Sequence, residues 1–367
     1  MAEIRGDIIQ SAGSGRLAQL DGLRGIAAFS VFLFHCGLIP GFWNKSLSLP
    51  GILGDGGAAV DLFFVLSGFV LARSLMGKKK SGYFQFVIRR AMRIYPAYWT
   101  TLLLCAALIS MYDASRNPFF DELIRSFWSQ PVGWAQWLLH ALLILPGVDR
   151  GRVDGVMWSL VIEMRISLLL PMFLSIYLLL SAPGRAILLL VSPALLMLGQ
   201  TAAFVPLFLM GIALASYLNK QEIFTPRFTI PVAFGLGLLL YGNREIFELP
   251  GGSIGGSVAD IVSGLGSALI ILAAIGSKRL SRFLTSRPIQ FLGDVSYSFY
   301  LIHWPILLFL TSRMFGAGYP PMACAAVSLI AAWIVAYLSY RFVELPGMNI
   351  GKIIATRIAA PSQVKAI

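Results

Sequence analysis

The sequence predicts an all-α fold: a polytopic transmembrane helix bundle of about ten spans with both termini cytoplasmic. Three observations predict it. Of 367 residues, 57% are apolar and 13% are charged, against roughly 45–50% and 25% in a soluble domain. The mean hydropathy is +0.77, more apolar surface than a soluble globule of this length can hide. The basic residues then sort to alternate sides of the apolar stretches, which fixes the count.

A crossing helix needs roughly 20 mostly apolar residues. In chain order the candidates are 20–39, 52–76, 95–112, 156–180, 184–199, 201–218, 228–242, 257–277, 289–312 and 320–343. With the N-terminus inside, 21 of the 29 Lys and Arg residues lie on the cytoplasmic side and 7 outside, while Arg165 lies within a span. This is the asymmetry expected of a membrane protein. An eleventh apolar stretch, Gly133 to Leu145, is only thirteen residues long and reads as re-entrant or interfacial. Counting it as a crossing would turn the basic cluster Lys278, Arg279, Arg282 and Arg287 outward. The organisation expected is a cytoplasmic segment over 1–19, a membrane domain over 20–345 and a cytoplasmic tail over 346–367 with no soluble domain after it. Residues 1–19 hold no apolar core of the kind a cleaved signal peptide carries.

Composition also excludes classes. A disordered chain is poor in apolar residues. The three cysteines, Cys36, Cys105 and Cys324, all sit in apolar runs without a CxxC spacing, so they read as small buried side chains rather than metal ligands or a disulfide framework. No metal site is expected. The net charge of +12 follows the membrane sidedness and does not call for nucleic acid. No internal repeat of the kind found in many transporters is evident.

Ionisable groups inside spans are costly, so each is a functional candidate. Arg24 and His35 are eleven residues apart in the first span, a net rotation of about 20° and a rise of about 16 Å. They share one helix face, on which a long anionic molecule could touch both; the alternative is a positive-inside anchor and a core histidine. Asp61 in the second span needs a partner, for which His35 or an arginine is suitable. Ser67-Gly68 permits close helix approach. Tyr83 to Ile94 has amphipathic spacing, with Arg90 and Arg93 as i,i+3 neighbours. A guanidinium pair suits phosphate, and an interfacial helix on anionic lipid headgroups is the alternative. Glu163 and Arg165, two residues apart, point in different directions and need separate partners or a ligand. Tyr297, Tyr300 and His303 drift slowly round one face of the ninth span; two hydroxyls and an imidazole could line a polar cavity or form a structural cluster. His140 has no assigned role.

Five motifs, in order, resemble the acyltransferase-3 family of bacterial integral-membrane O-acyltransferases. They are Leu20-Asp-Gly-Leu-Arg24 with His35 after ten intervening residues; Val60-Asp-Leu-Phe-Phe-Val-Leu-Ser-Gly-Phe69; Arg89-Arg90-Ala-Met-Arg93-Ile-Tyr-Pro96; Trp158-Ser-Leu-Val-Ile-Glu163; and Leu292-Gly-Asp-Val-Ser-Tyr-Ser-Phe-Tyr-Leu-Ile-His303-Trp-Pro. The resemblance implies a multi-pass enzyme of the bacterial inner membrane. It would move an acyl group, usually acetyl, from cytoplasmic acyl-CoA to a hydroxyl on an envelope or secreted polysaccharide such as O-antigen, exopolysaccharide or a lipid-linked glycan. Some members instead modify small glycosylated molecules. Acetyl-CoA would be the donor substrate, with Arg24, Arg90 and Arg93 binding it, and membrane lipids would be the surroundings. Ser67, Trp158 and His303 would contact substrate. The chain departs from the family pattern at Met164-Arg165-Ile166-Ser167, where a second acidic residue and an aromatic pair are common. It also stops short of the esterase-like C-terminal domain of some members, so transfer is expected within the membrane domain or with a separate partner.

Acyl transfer from a thioester to an alcohol needs a base for the alcohol, and histidine is best matched to that task. His35 is the expected general base, with Asp61 or Glu163 orienting the imidazole and Tyr297 or Tyr300 stabilising the tetrahedral oxyanion. Prior acylation of His35 is an alternative route. A serine nucleophile has no support in the sequence: there is no GxSxG elbow, and Ser67 has no base beside it in the chain. A proton-coupled transporter would also use Asp61, Glu163 and His35, but leaves the arginine pair unexplained.

Overall fold

A computed structural model describes residues 17–39, 41–42, 51–77, 82–112, 127–128, 131–145, 147, 153–220, 229–246 and 258–359. Among these there is no strand. Several basic residues of the sidedness argument (Arg5, Arg16, Lys45, Lys78, Lys79, Lys80, Arg116, Arg125, Arg150, Arg152, Arg227 and Lys365) lie outside the described residues, as do most of the N-terminal segment and the end of the tail.

The main helices are α1 (Ala18–Cys36), α2 (Gly56–Met76), α3 (Tyr83–Ser110), α4 (Trp134–Leu142), α5 (Met157–Leu179), α6 (Ala182–Val191), α7 (Val205–Lys220), α8 (Thr229–Tyr241), α9 (Val258–Gly276), α10 (Lys278–Leu284), α11 (Arg287–Gly316), α12 (Pro321–Ser339) and α13 (Leu345–Ala359). A 3₁₀ turn, Ser192–Leu198, extends α6, and a π turn, Tyr340–Glu344, joins α12 to α13. Each of the ten stretches singled out by hydropathy coincides with a helix. Among the described residues, seven helical segments are long and apolar enough to cross a membrane: Gly56–Met76, Tyr83–Ser110, Met157–Leu179, Gln200–Asn219, Val258–Gly276, Arg287–Gly316 and Pro321–Ile358. Ala182–Leu198 and Thr229–Tyr241 are shorter apolar helices. The chain is a multi-pass membrane protein.

Two local features, at Pro96 and in the tail, differ from the sequence expectation, while Gly133–Leu145 is short, as expected. The amphipathic segment from Tyr83 and the third span are one helix, because Pro96 sits inside α3 without ending it. A proline inside a membrane helix is tolerated where neighbouring groups satisfy the freed carbonyl. Within Gly133–Leu145 only nine residues are helical, a rise of about 14 Å, under half the hydrocarbon thickness. The carbonyls of Ala141 and Leu142 at the end of this α4 accept from Trp99 Nε1 (2.9 Å) and the Tyr95 hydroxyl (2.7 Å). The region expected as a tail is helical from Leu345 to Ala359.

The chain forms two compact units: Met1–Lys78 with Met157–Ser296, and Lys79–Val156 with Tyr297–Ile367. The first is held by small-residue crossings, as membrane helices are. A Cβ on Gly68 of α2 would strike the carbonyl oxygen of Phe208 in α7, and one on Gly211 would strike that of Val65. Each helix thus offers its bare glycine to the other's backbone. The start of α11 meets α1 in the same way, with Gly293 against the Asp21 carbonyl. In the second unit Gly347 and Gly351 of α13 lie against Met92 of α3.

Candidate active site

The first unit carries Arg24, His35, Asp61, Ser67, Trp158 and Glu163. Arg24 and His35 are both partly exposed on α1, whereas eleven other residues of that helix are buried. Arg24 pairs with Asp21 one turn earlier (Nη1–Oδ1 3.0 Å,). His35 stands in the last turn of α1, the end at which the helix dipole favours positive charge.

Asp61 is bound by an arginine, as one reading of the sequence allowed. That arginine is Arg244, one of the seven basic residues counted on the outer side and not singled out from the sequence. Its Nη2 lies 3.1 Å from Asp61 Oδ2 and also bonds Asp260, while Nη1 lies 3.3 Å from Asp55 Oδ2. The Ser263 hydroxyl donates to Asp61 as well. Asp55 in turn caps α2 by accepting from the Ala58 amide at 2.8 Å. One guanidinium is therefore shared by three carboxylates, two from α2 and its N-cap and one from α9, with Asp61 only 1% exposed. Asp55, Asp260, Ser263 and Arg244 were missed from sequence. The signal available was an arginine and an aspartate flanking one outer loop, opposite a span that carried an unpaired aspartate.

Glu163 and Arg165 do point apart. Arg165 donates to Thr201 Oγ1 at 3.2 Å. Glu163 accepts from the Ser67 hydroxyl at 2.8 Å, joining two sequence-selected residues that lie 96 positions apart. Trp158, one turn before Glu163, packs its ring against Phe64 and Phe204, with centroids at 6.4 and 5.7 Å.

The second unit carries Arg90, Arg93, Tyr297, Tyr300 and His303. Arg93 Nη1 lies 3.8 Å from Glu344 Oε1 and 3.0 Å from Met348 Sδ. Glu344, 1% exposed, also accepts from the Ser298 hydroxyl at 2.8 Å. The Tyr297 hydroxyl donates to the Ile94 carbonyl at 2.8 Å, and that of Tyr300 to the Val156 carbonyl at 3.4 Å. Either would have to leave a backbone carbonyl to stabilise an oxyanion. His303 is fully buried, with Nδ1 at 3.1 Å from the Phe299 carbonyl. Among the described residues no group of three or more His, Cys, Asp or Glu side chains is placed to hold a metal ion.

Asp154, just before α5, is also fully buried. One carboxylate oxygen accepts from the Val156 amide at 3.1 Å, and the other has no hydrogen-bond partner among the described residues. Burial pushes its carboxyl up to about 8, against the opposing pull of the Val156 N–H. The unfolded value is about 3.9. The stabilisation carried by the protonated form is therefore complete below about pH 4 and is lost as pH rises through about 8. The melting temperature of the wild type should fall across that window, and Asp154→Asn should flatten the fall. Equal slopes in scanning fluorimetry would refute this.

The peptidoglycan O-acetyltransferase OatA of Listeria monocytogenes is 26% identical over 366 residues, covering 89% of this chain and 55% of the relative. The O-acetyltransferase OatA of Staphylococcus aureus is 25% identical over 369 residues, covering 90% and 57%. The chain thus spans about half the length of these relatives. No solved structure matches it. The family described as "Acyltransferase domain", the acyltransferase-3 family, matches residues 17–341. Covering the site motifs of both units, that match makes the chain a member of this acyltransferase family.

Proposed function

We propose that this protein is a membrane O-acyltransferase that moves an acetyl group from cytoplasmic acetyl-CoA to a sugar hydroxyl of an envelope glycan. The supporting observation is α1, which places a partly exposed arginine and a partly exposed histidine about 16 Å apart on one face. In this reading Arg24, Arg90 and Arg93 bind the phosphates of the donor. His35 removes the proton of the acceptor hydroxyl, and the end of α1 stabilises the imidazolium that forms. The names of the relatives favour peptidoglycan or a similar polysaccharide as acceptor. The topology proposed is ten spans with both termini cytoplasmic, in the inner membrane.

The test needs no acceptor: binding of radiolabelled acetyl-CoA to the full chain in nanodiscs. Arg90→Gln should weaken binding at least about ten-fold, since a charge-assisted hydrogen bond is worth roughly 1.5–3 kcal/mol. Arg90 is the cleaner choice, because removing Arg93 also strips the ion pair from buried Glu344. Wild-type protein with no affinity for acetyl-CoA would overturn the donor assignment.

A further inference from the structure

Serine and threonine in apolar helices commonly turn their hydroxyls back to a carbonyl one turn earlier. Thr100, Thr101 and Ser175 do so here, bonding Pro96, Ala97 and Pro171. Ser67 does not. Its one hydrogen bond among the described residues reaches across to the Glu163 carboxylate on α5, at 2.8 Å. The geometry is tightly held: Gly68, the next residue, is locked against the Phe208 carbonyl, so α2 cannot slide or turn at this point. Phe64, Trp158, Phe204 and Phe208 form an aromatic layer one turn away. Ser67 is 7% exposed and Glu163 only partly buried. A hydroxyl bonded to a carboxylate, in apolar surroundings and not closed to a ligand, has the form of an activated nucleophile. The base that the sequence did not show lies 96 residues downstream.

We propose that Ser67 is the acyl-accepting nucleophile of this enzyme, with Glu163 as its base, so that transfer passes through an acyl-serine. The inference rests on the acetyl-CoA reading above. In the first half, Ser67 Oγ attacks the thioester carbonyl carbon and its proton passes to the Glu163 carboxylate. The C–S bond breaks, and the departing thiolate takes that proton and leaves as free CoA thiol. In the second half, the acceptor hydroxyl attacks the Ser67 ester carbonyl and gives its proton to His35. The bond between the acyl carbonyl carbon and Ser67 Oγ breaks, and Oγ recovers that proton. No oxidant or further reactant is consumed.

The test is incubation of the nanodisc protein with radiolabelled acetyl-CoA without acceptor, an acid quench, and peptide mass spectrometry. One acetyl group should appear on the peptide containing Ser67, resist acid and be released by alkaline hydroxylamine. Ser67→Ala should lose the label while still binding acetyl-CoA, which shows that it is folded. Ser67→Cys should move the label to a thioester cleaved by neutral hydroxylamine. Glu163→Gln should slow labelling by about 10²–10⁴-fold, the range for general-base catalysis. Label on His35 instead, or Ser67→Ala transferring acetyl to glycan within about two-fold of wild type, overturns the acyl-serine and leaves the donor reading intact. Wild type that neither binds nor turns over acetyl-CoA overturns both.

Discussion

Replacing His35 with alanine is expected to cut acyl transfer to the glycan by roughly 10²–10⁴-fold, the loss typical of a missing general base. The loss should be one-sided. Acetyl-CoA affinity should stay within about two-fold, because the donor phosphates are assigned to arginines. Acetyl-Ser67 should still form, and should accumulate, because only the second half-reaction calls on the imidazole. Quenched time courses with and without glycan read both quantities at once. A His35→Ala protein that keeps full transfer would remove the general-base role. One that loses acetyl-CoA binding would make His35 a binding residue.

The second large effect belongs to Arg244. Its guanidinium serves Asp55, Asp61 and Asp260 together. Deleting one member of a buried ion pair typically costs roughly 3–5 kcal/mol, because a buried charge is left uncompensated. Arg244→Ala leaves three carboxylates facing each other and should cost at least that, seen as a marked drop in melting temperature in detergent or as failure to accumulate. Arg244→Lys should recover part of the loss, keeping the charge but not the fork. Adding Asp260→Asn to Arg244→Ala should also recover part, by removing one repelling charge. An Arg244→Ala protein melting with the wild type would show that the network contributes nothing.

Sequence carried the membrane architecture because its signal is one-dimensional. A stretch such as 257–277 is apolar along most of its length, and no distant residue has to be known to place it. The need for partners was legible too: Asp61, Glu163 and Arg165 each sit where an unpaired charge would be expensive. Which partners they take was not. Arg244 lies 183 residues from Asp61, and Ser67 lies 96 from Glu163. Only the crossing of α2 with α5, and the short helix Asn243–Ile246 between α8 and α9, bring them together. The boundary drawn at 95 between the amphipathic segment and the third span has no counterpart in the structure, where α3 runs on through Pro96. Tyr297 and Tyr300 were chosen for their hydroxyls, and nothing in their spacing revealed that backbone carbonyls already use them.

The π turn at Tyr340–Glu344 sets the genetics of the chain's last helical stretch. A π turn holds one residue more than the α-helical turn it replaces, so it advances the phase of all that follows by about 100°. That phase turns Glu344 inward to Ser298 and Arg93, and sets Gly347 and Gly351 against Met92. Losing a single codon between Tyr340 and Glu344 would restore an ordinary helix and rotate all three contacts out of place together. Point substitutions at exposed Arg341 or Phe342 change one side chain each. This short stretch should therefore drift in sequence among descendants while its length stays fixed.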